Sequence, residues 1–230
     1  MILRTEAVCK QFLRETKGTN IFTAVKETDF ELAEGKLTVL TGRSGSGKST
    51  FLNMLSGLLA PTSGTVWAGE QNLYELEDQE LSRLRNQLFG FIPQGQSAIH
   101  SLNVMENVLL PFTLYGDGEG AEEYARILLE RMGIAELEKA MPSELSGGEM
   151  RRMAIARALV RKPAVVFADE PTGDLDDENT EIVFEMLRQE AEQGTSVLLV
   201  THEKDADRYA DEVYRMFGGV LEKQLSDRIE

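Results

Sequence analysis

The sequence contains a single cysteine, Cys9, among its 230 residues. One cysteine cannot form a disulfide within the chain, so we expect the protein to work in a reducing compartment. No run of apolar residues approaches the ~20 that a membrane-spanning helix needs, and the first ten residues lack the apolar core of a signal peptide. These absences predict a cytoplasmic protein that does not itself cross the membrane.

Basic side chains are also scarce. The chain has 24 lysine and arginine residues against 39 aspartate and glutamate residues, which gives a formal net charge of −15. A protein that grips phosphate backbones usually carries a positive surface, because contacts to phosphates supply much of its affinity. We therefore expect no nucleic acid among its partners.

Short β-rich runs alternate along the chain with longer helical patterns. The runs cover residues 37–40, 165–168 and 196–201. The alternation predicts an α/β protein whose mostly parallel sheet is connected by crossover helices. There are no tandem repeats and no linker-like stretch longer than residues 116–120, so we expect a single domain.

Three helices are predicted from apolar stripes and their end signals. One stripe runs from Tyr124 to Met132 before a glycine, and a helix over residues 149–161 stops before Pro163. The third contains Ile182 to Leu187, with Asp176 or Asp177 as its cap. Because helical patterns cover most of residues 95–160, we predict a helical subdomain there, inserted between core segments 1–94 and 161–230.

A glycine-rich loop follows the first β-rich run and matches G-x-x-x-x-G-K-S/T from Gly42 to Ser49. Its backbone N–H groups and the helix N-terminus would hold phosphates, Lys48 would reach the terminal phosphates, and Ser49 would bind Mg²⁺. A turn that merely requires glycine would not explain the lysine and serine. The residues expected to bind the nucleotide here are Gly42, Ser44, Gly45, Ser46, Gly47, Lys48, Ser49 and Thr50.

Acidic and imidazole side chains stand at the ends of the two later runs. Asp169 and Glu170 end one run, and His202 ends the next. Ligands of open α/β sheets gather at the carboxyl ends of the strands. Asp169 is suited to hold Mg²⁺ and Glu170 to accept a proton from water, with His202 near the γ-phosphate; the alternative is an acidic pair that only caps the next segment.

A second glycine stretch, Ser146-Gly147-Gly148, precedes the predicted helix at residues 149–161. A helix N-terminus presents free N–H groups, so this is a second potential phosphate site. Ser146 and Glu149 also fit the capping box S-x-x-E, in which the serine only caps its own helix. The residue pattern alone leaves both interpretations open.

These motifs together resemble the nucleotide-binding subunit of ABC transporters, in the order that the family has them. LSGGEM at residues 145–150 resembles the signature motif, VVFADE at 165–170 the Walker B segment and residues 173–176 the D-loop. Gln94 resembles the Q-loop glutamine, and His202 the switch histidine. The resemblance covers almost the whole chain and implies a P-loop NTPase (RecA-like) core, an N-terminal antiparallel β subdomain and the inserted helical subdomain.

The resemblance also implies what the two glycine stretches do. Two ATPase subunits, expected to be identical, would pair head to tail around two ATP molecules, so that Ser146, Gly147 and Gly148 touch the nucleotide held by the partner. Phe12 would stack on adenine where the family usually has tyrosine, with Phe22 a lesser candidate. The implied Mg²⁺ ligands are Ser49, Gln94 and Asp169, and the implied catalytic residues are Glu170, His202, Gln94 and Asp176.

Transmembrane permease subunits are the other implied partners, and they would hold the chain peripherally on the inner face of the membrane. Residues 83–94 and 101–111 resemble the branch with lipoprotein-release, macrolide-export and antimicrobial-peptide-resistance transporters, which suggests export or extraction. The chain departs from the family pattern at Pro93, Glu149, Met150 and Arg151.

Two other functions share parts of this pattern. A soluble ABC-type ATPase of DNA repair would carry a long coiled-coil insertion or cysteine pairs for zinc, and this chain has neither. A P-loop kinase for a small molecule would leave the LSGGEM segment unexplained.

Overall fold

The computed structural model describes residues 3–13, 21–95, 97–116, 118, 120–173 and 175–224. The strands are β1 Leu3–Leu13, β2 Ile21–Leu32, β3 Leu37–Thr41, β4 Ser63–Ala68, β5 Gln71–Asn72, β6 Phe89–Ile92, β7 Val165–Asp169, β8 Ser196–Thr201, β9 Glu212–Phe217 and β10 Val220–Gln224. The α-helices are α1 Lys48–Leu55, α2 Asp78–Leu88, α3 Val104–Thr113, α4 Ala121–Arg131, α5 Gly147–Leu159 and α6 Asp177–Glu192. Short 3₁₀ helices cover Leu73–Glu75, Ala135–Leu137, Pro142–Glu144 and Lys204–Tyr209.

The larger sheet has the strand order β10-β9-β3-β8-β7-β6 in the described part of the chain. All its neighbours pair in parallel except β10 and β9, which form an antiparallel hairpin at one edge. The three β-rich runs of the sequence form β3, β7 and β8, which are neighbours in this sheet. Every residue of β7 and β8 is buried, because helices cover both faces of a parallel sheet.

The smaller sheet is antiparallel, with the order β2-β1-β4-β5. It is joined to the first helix through aromatic rings: the Phe30 ring of β2 meets the Phe51 ring of α1 edge to face at 5.4 Å. Phe30 also meets Tyr214 of β9 at 5.1 Å. The expected α/β fold, with a mostly parallel sheet and an N-terminal antiparallel sheet, is confirmed.

Helices α3, α4 and α5 pack together through one apolar cluster that also includes residues of the parallel sheet. The predicted helices are present, with α5 beginning two residues earlier than predicted and α6 capped by Asp176. The boundaries of the helical subdomain stay a prediction, as does the linker-like character of residues 116–120, of which 117 and 119 lie outside the described residues. No helix formed by the described residues has the length and apolarity needed to cross a membrane.

A fully buried asparagine holds the segment that leads into α3. The Asn107 side chain accepts a hydrogen bond from Ile99 N at 2.8 Å. Its amide donates to the carbonyls of Ile99 at 3.1 Å, Leu102 at 2.9 Å and Asn103 at 3.0 Å. Because a buried polar group that loses its partners pays a desolvation cost, this side chain fixes the path of residues 99–103.

Replacing Asn107 with alanine should therefore lower the free energy of unfolding by about 2–4 kcal/mol, since several buried backbone groups lose their partner. Urea unfolding measures this change. The matched control is Asn103→Ala, which removes only the exposed cap of α3 that accepts from Glu106 N at 2.8 Å and should cost about 1 kcal/mol. Equal losses in the two variants would contradict the role given to Asn107.

Candidate active site

Three neighbouring strands bring the sequence motifs to one edge of the parallel sheet. Thr41, the last residue of β3, pairs with Thr201 at the end of β8. Asp169, the last residue of β7, pairs with Val200 of the same strand β8. The segments that begin at Gly42, Glu170 and His202 therefore leave the sheet side by side.

Close backbone packing explains two glycines of the loop between β3 and α1. Gly47 has a φ of 112°, and a Cβ atom there would lie 2.2 Å from the Ala24 carbonyl oxygen. A Cβ on Gly42 would lie 2.4 Å from the Met216 carbonyl oxygen. Any other residue would force the loop away from β2 and β9, so the loop can take this tight path only with glycine.

The Lys48 ammonium is buried over this loop. Its Nζ donates to the Gly42 carbonyl at 2.9 Å and to the Arg43 carbonyl at 3.5 Å, and it lies 3.9 Å from Glu170 Oε1. Lys48 is also the first residue of α1, whose N-terminus adds positive potential. The loop therefore concentrates positive charge and N–H donors at the point where β3 ends.

Asp169 and Ser49 form an oxygen-rich pair beside that charge. The Ser49 hydroxyl donates to Asp169 Oδ1 at 3.2 Å. Burial raises the pKa of Asp169 and the nearby Glu170 charge adds to the rise, while the Ser49 hydrogen bond and the Lys48 charge oppose it. Hydroxyl and carboxylate oxygens are the ligands that Mg²⁺ prefers, and it takes few of them from the protein when phosphates supply others. The donor set therefore fits Mg²⁺.

Glu170 and His202 are paired across the ends of β7 and β8. Glu170 Oε2 lies 2.8 Å from His202 Nδ1 and accepts from His202 N at 3.3 Å. Glu170 has a φ of 47°, a left-handed conformation that is strained for a glutamate and is held by its N–H bond to the Val200 carbonyl at 2.8 Å. In this backbone conformation the nearly buried Glu170 carboxylate faces Lys48 and His202.

The motifs surround one cavity of about 810 Å³. Gln94 lies on its wall, next to the loop of Lys48 and Ser49. Phe12 and Phe22 are direct partners across β1 and β2, and both line it. The other lining residues are Ala24, Ser44, Gly45, Gly47, Thr50, Gly95, Arg151, Glu170, Gly173 and His202.

The remaining predicted residues lie outside the walls of this cavity. Gly42 and Ser46 belong to the glycine loop itself. Asp169 does not line the cavity but accepts a hydrogen bond from Ser49, which does. Ser146 forms the capping box: its Oγ accepts from Glu149 N at 3.3 Å, and its N–H donates to Glu149 Oε2 at 2.7 Å. This backbone hydrogen bond lowers the pKa of Glu149.

The D-loop is also away from the cavity, apart from Gly173. Asp176 is exposed and caps α6 by accepting from Asn179 N at 2.9 Å, which lowers the pKa of Asp176. Asp174 lies outside the described residues. The structure therefore does not bring Asp176, Ser146, Gly147 or Gly148 to the phosphate loop of the same chain.

Four wall residues were not predicted as site residues: Ala24, Gly95, which directly follows Gln94, Arg151, and Gly173, which begins the predicted D-loop. Arg151 appears in the sequence only as a departure from the family pattern, and nothing in its local spacing places it beside Gln94. Ala24 lacks a functional group, and its position follows from the pairing of β1 with β2. Phe22, the lesser candidate for adenine, is the direct register partner of Phe12 and also lines the cavity.

The family model for ABC transporters matches residues 25–173, which is more than half of the chain. The chain belongs to the ABC transporter family. It is an ATP-binding subunit of such a transporter and an ATPase.

Curated relatives in the ABC family support the predicted branch. The chain is 40% identical over 222 residues to the lipoprotein-releasing system ATP-binding protein LolD of Xanthomonas axonopodis pv. citri, covering 96% of this chain and 90% of that one. It is 44% identical over 197 residues to LolD of Hydrogenovibrio crunogenus, covering 85% and 86%. The resemblance to the branch with lipoprotein-release transporters is thereby confirmed.

Solved ABC cassettes share the fold over nearly the whole chain. A dimeric structure of a post-hydrolysis state of an ATP-binding cassette bound to ADP and Pi has a TM-score of 0.87 at 31% identity and covers 96% of this chain and 98% of its own. A dimeric bacterial ABC transporter cassette gives 0.88 at 31% identity, with the same coverage.

The raised pKa of Asp169 predicts that this carboxylate destabilises the nucleotide-free protein. At neutral pH the ionised form is less favourable in the folded chain than in the unfolded chain, so Asp169→Asn should raise the midpoint of thermal unfolding, by about 2–4 °C per kcal/mol gained. The difference should shrink as the pH falls toward the unfolded-chain pKa of ~3.9 and vanish about one pH unit below it, where the carboxyl is protonated in both states.

Scanning calorimetry over a pH series measures this difference. Asp211→Asn is the control, because that aspartate has an ion pair with Arg188 at 2.7 Å and its replacement should lower the midpoint. An Asp169→Asn variant that melted below the unsubstituted protein at pH 7 without nucleotide would contradict the burial argument.

Proposed function

We propose that two copies of this chain close head to tail around two ATP molecules and hydrolyse them with Mg²⁺. One observation carries the proposal: the chain presents two helix N-termini suited to phosphate, but only that of α1 borders its own cavity. Ser146 and Gly147 at the start of α5 are exposed, so they are free to reach a nucleotide bound by another chain. The dimeric cassettes of similar fold support this arrangement.

Each cavity residue then has a role. The loop amides and Lys48 hold the phosphates, and releasing Lys48 Nζ from the Gly42 carbonyl requires only a small movement of a flexible side chain. Ser49, Asp169 and Gln94 would hold Mg²⁺, which neutralises charge on the phosphates when bound. Phe12 stacks on the adenine base, a contact that needs an aromatic ring but not the hydroxyl of the usual tyrosine.

Glu170 is the general base of the proposed reaction. Its carboxylate lies at the cavity wall and is oriented by His202 at 2.8 Å. It polarises the attacking water and accepts its proton, while His202 holds the carboxylate toward the γ-phosphate. Asp176 and the signature residues Ser146, Gly147 and Gly148 complete the site of the partner subunit.

A second cavity, of about 610 Å³, supports coupling to a transmembrane permease subunit. It lies between the end of α1, α2 and the end of α3, and Leu58 and Leu114 leave large apolar surfaces exposed beside it. Phe89 and Phe91 of β6 form one wall, and β6 leads directly to Pro93 and Gln94. A permease segment in this groove would sense movements of Gln94 and place the chain on the inner face of the membrane.

The transport reaction proposed is export or extraction of a substrate, and the names of the LolD relatives support a lipoprotein as the cargo. The chain would contribute ATP hydrolysis and the permease would contact the cargo. A soluble ATPase of DNA repair is not favoured, because the similarity to these relatives spans nearly the full length of the chain.

Replacing Glu170 with glutamine should abolish steady-state ATP hydrolysis, reducing it by about 100-fold or more, because the amide cannot accept the proton of the water. ATP affinity should stay within about twofold of that of the unsubstituted protein, since the side chain keeps its shape. Phosphate release and equilibrium nucleotide binding measure the two effects. Hydrolysis by Glu170→Gln at the parental rate would show that the base is another group.

Sedimentation of the same variant tests the composite site. With ATP and Mg²⁺ it should form a dimer, because nucleotide joins the two chains and is not consumed. The unsubstituted protein should also lose specific activity on dilution. A variant that stayed monomeric with ATP, together with activity that did not depend on protein concentration, would favour a kinase-like site complete in one chain.

A further inference from the structure

Two residues that depart from the family pattern, Pro93 and Arg151, are in direct contact. Pro93 follows β6 and immediately precedes Gln94. Arg151 is on α5, is only 4% exposed, and donates from Nη1 to the Pro93 carbonyl at 2.6 Å. A hydrogen bond from a guanidinium is stronger than a neutral one, and the proline ring restricts the backbone that receives it.

The same helix holds the other end of this loop. Arg157 donates from Nη1 to the Ser97 carbonyl at 2.8 Å and from Nη2 to Ser97 Oγ at 2.5 Å. Arg157 lies six residues beyond Arg151, a rise of about 9 Å along the helix. Between the two anchors run Gln94 and Gly95, so α5 supports both sides of the segment that carries Gln94.

Helix α5 thereby connects two sites. Its first residues, with Ser146 as the cap, are the part of the chain that the proposed function assigns to the partner's nucleotide. Arg151 begins the second turn of this helix, one turn from that contact, and its guanidinium reaches the residue next to Gln94 in its own cavity. A movement of α5 upon binding the partner's ATP would pass directly to the Gln94 backbone.

We propose that Arg151 is a positioning residue that transmits engagement of the signature helix to Gln94, and so couples the two ATP sites of the dimer. This inference rests on the proposed function, because it requires Gln94 to act on Mg²⁺ and the start of α5 to contact the partner's nucleotide. Arg151 acts through the Pro93 carbonyl and takes no part in the chemistry itself.

A double-mutant cycle tests this role with the full-length protein. Arg151→Met should lower kcat for ATP by about 3- to 20-fold, the range for changes along a coupling network, and change KM by less than twofold. In a Gln94→Ala background the same substitution should change kcat by less than twofold, because the side chain that Arg151 positions is then absent. Arg151→Lys, which keeps a charged donor, should recover most of the activity.

Arg161→Met is the matched control, because Arg161 also donates to a proline carbonyl, that of Pro111 at 3.4 Å, away from Gln94. It should leave kcat within twofold. Thermal unfolding of each variant, followed alongside, separates loss of stability from loss of turnover.

Three results with the Arg151 variants would overturn the inference. An equal loss of kcat in both backgrounds would make Arg151 a general structural support. A raised KM at unchanged kcat would make it a direct nucleotide contact, which its place on the cavity wall permits. An unchanged kcat in Arg151→Met would contradict the coupling. The proposed function would still stand in that case if the parent protein is active and the Glu170→Gln variant is inactive. An inactive parent protein would overturn both the inference and the proposed function.

Discussion

Parallel pairing of β3, β8 and β7 is the constraint on which the site depends. The backbone register joins Thr41 to Thr201 and Asp169 to Val200, so the residues that follow each strand emerge together. No single motif could make this site, because Lys48, Glu170 and His202 come from three separate parts of the chain. The buried apolar residues of these strands have no chemical role, but they fix the register and so set the distances between the groups that do.

In the nucleotide-free site the charged and polar side chains contact one another and the backbone of the loop. Lys48 rests on the Gly42 carbonyl and near Glu170, Ser49 donates to Asp169, and Glu170 is paired with His202. Each contact satisfies a polar group that a bound nucleotide and its metal would otherwise engage. In the proposed reaction, binding would exchange these internal hydrogen bonds for contacts with phosphate, and the buried Asp169 carboxylate would gain a cation.

In the proposed dimer, helix α5 would link the site of one chain to that of its partner. Arg151 and Arg157 hold the loop of Gln94, and Arg152 donates to Asn179 Oδ1 at 2.7 Å beside the cap of α6. The helix thus contacts both the Q-loop and the segment after the D-loop, while its own N-terminus faces outward. Two guanidinium groups of α5 are thus directed at the loop after β6 and one at the first turn of α6.

The sequence predicted the parts of the site that local spacing defines. The glycine loop, the carboxylates and the helix caps are each complete within a few residues, and the structure has them where expected. The contact of Arg151 with Pro93 spans 58 residues, so only the packing of α5 on the loop after β6 reveals it. Helix α2 was not predicted, because its residues are mostly polar and Leu81 is its one buried residue.

Local irregularity in β1 hides the antiparallel sheet from periodicity. Register shifts in β1 near Thr5 and Val8 interrupt the alternation expected of a strand, with Ala7 at a φ of 48°. The antiparallel sheet was therefore expected from family resemblance and not from periodicity. The hairpin of β9 and β10 did carry a usable signal, since Gly218 and Gly219 both have the positive φ that a tight two-residue turn requires.

Coupling of this ATPase to a membrane transporter can be measured in its source cells. Affinity purification of the tagged Glu170→Gln variant from membranes of its source cells, with ATP and Mg²⁺ present, tests it most directly, because blocked hydrolysis should hold the complex together. We expect a polytopic membrane protein to co-purify in stoichiometric amount. Recovery of the dimer with only soluble proteins would contradict the coupling to transport and leave the ATPase assignment standing.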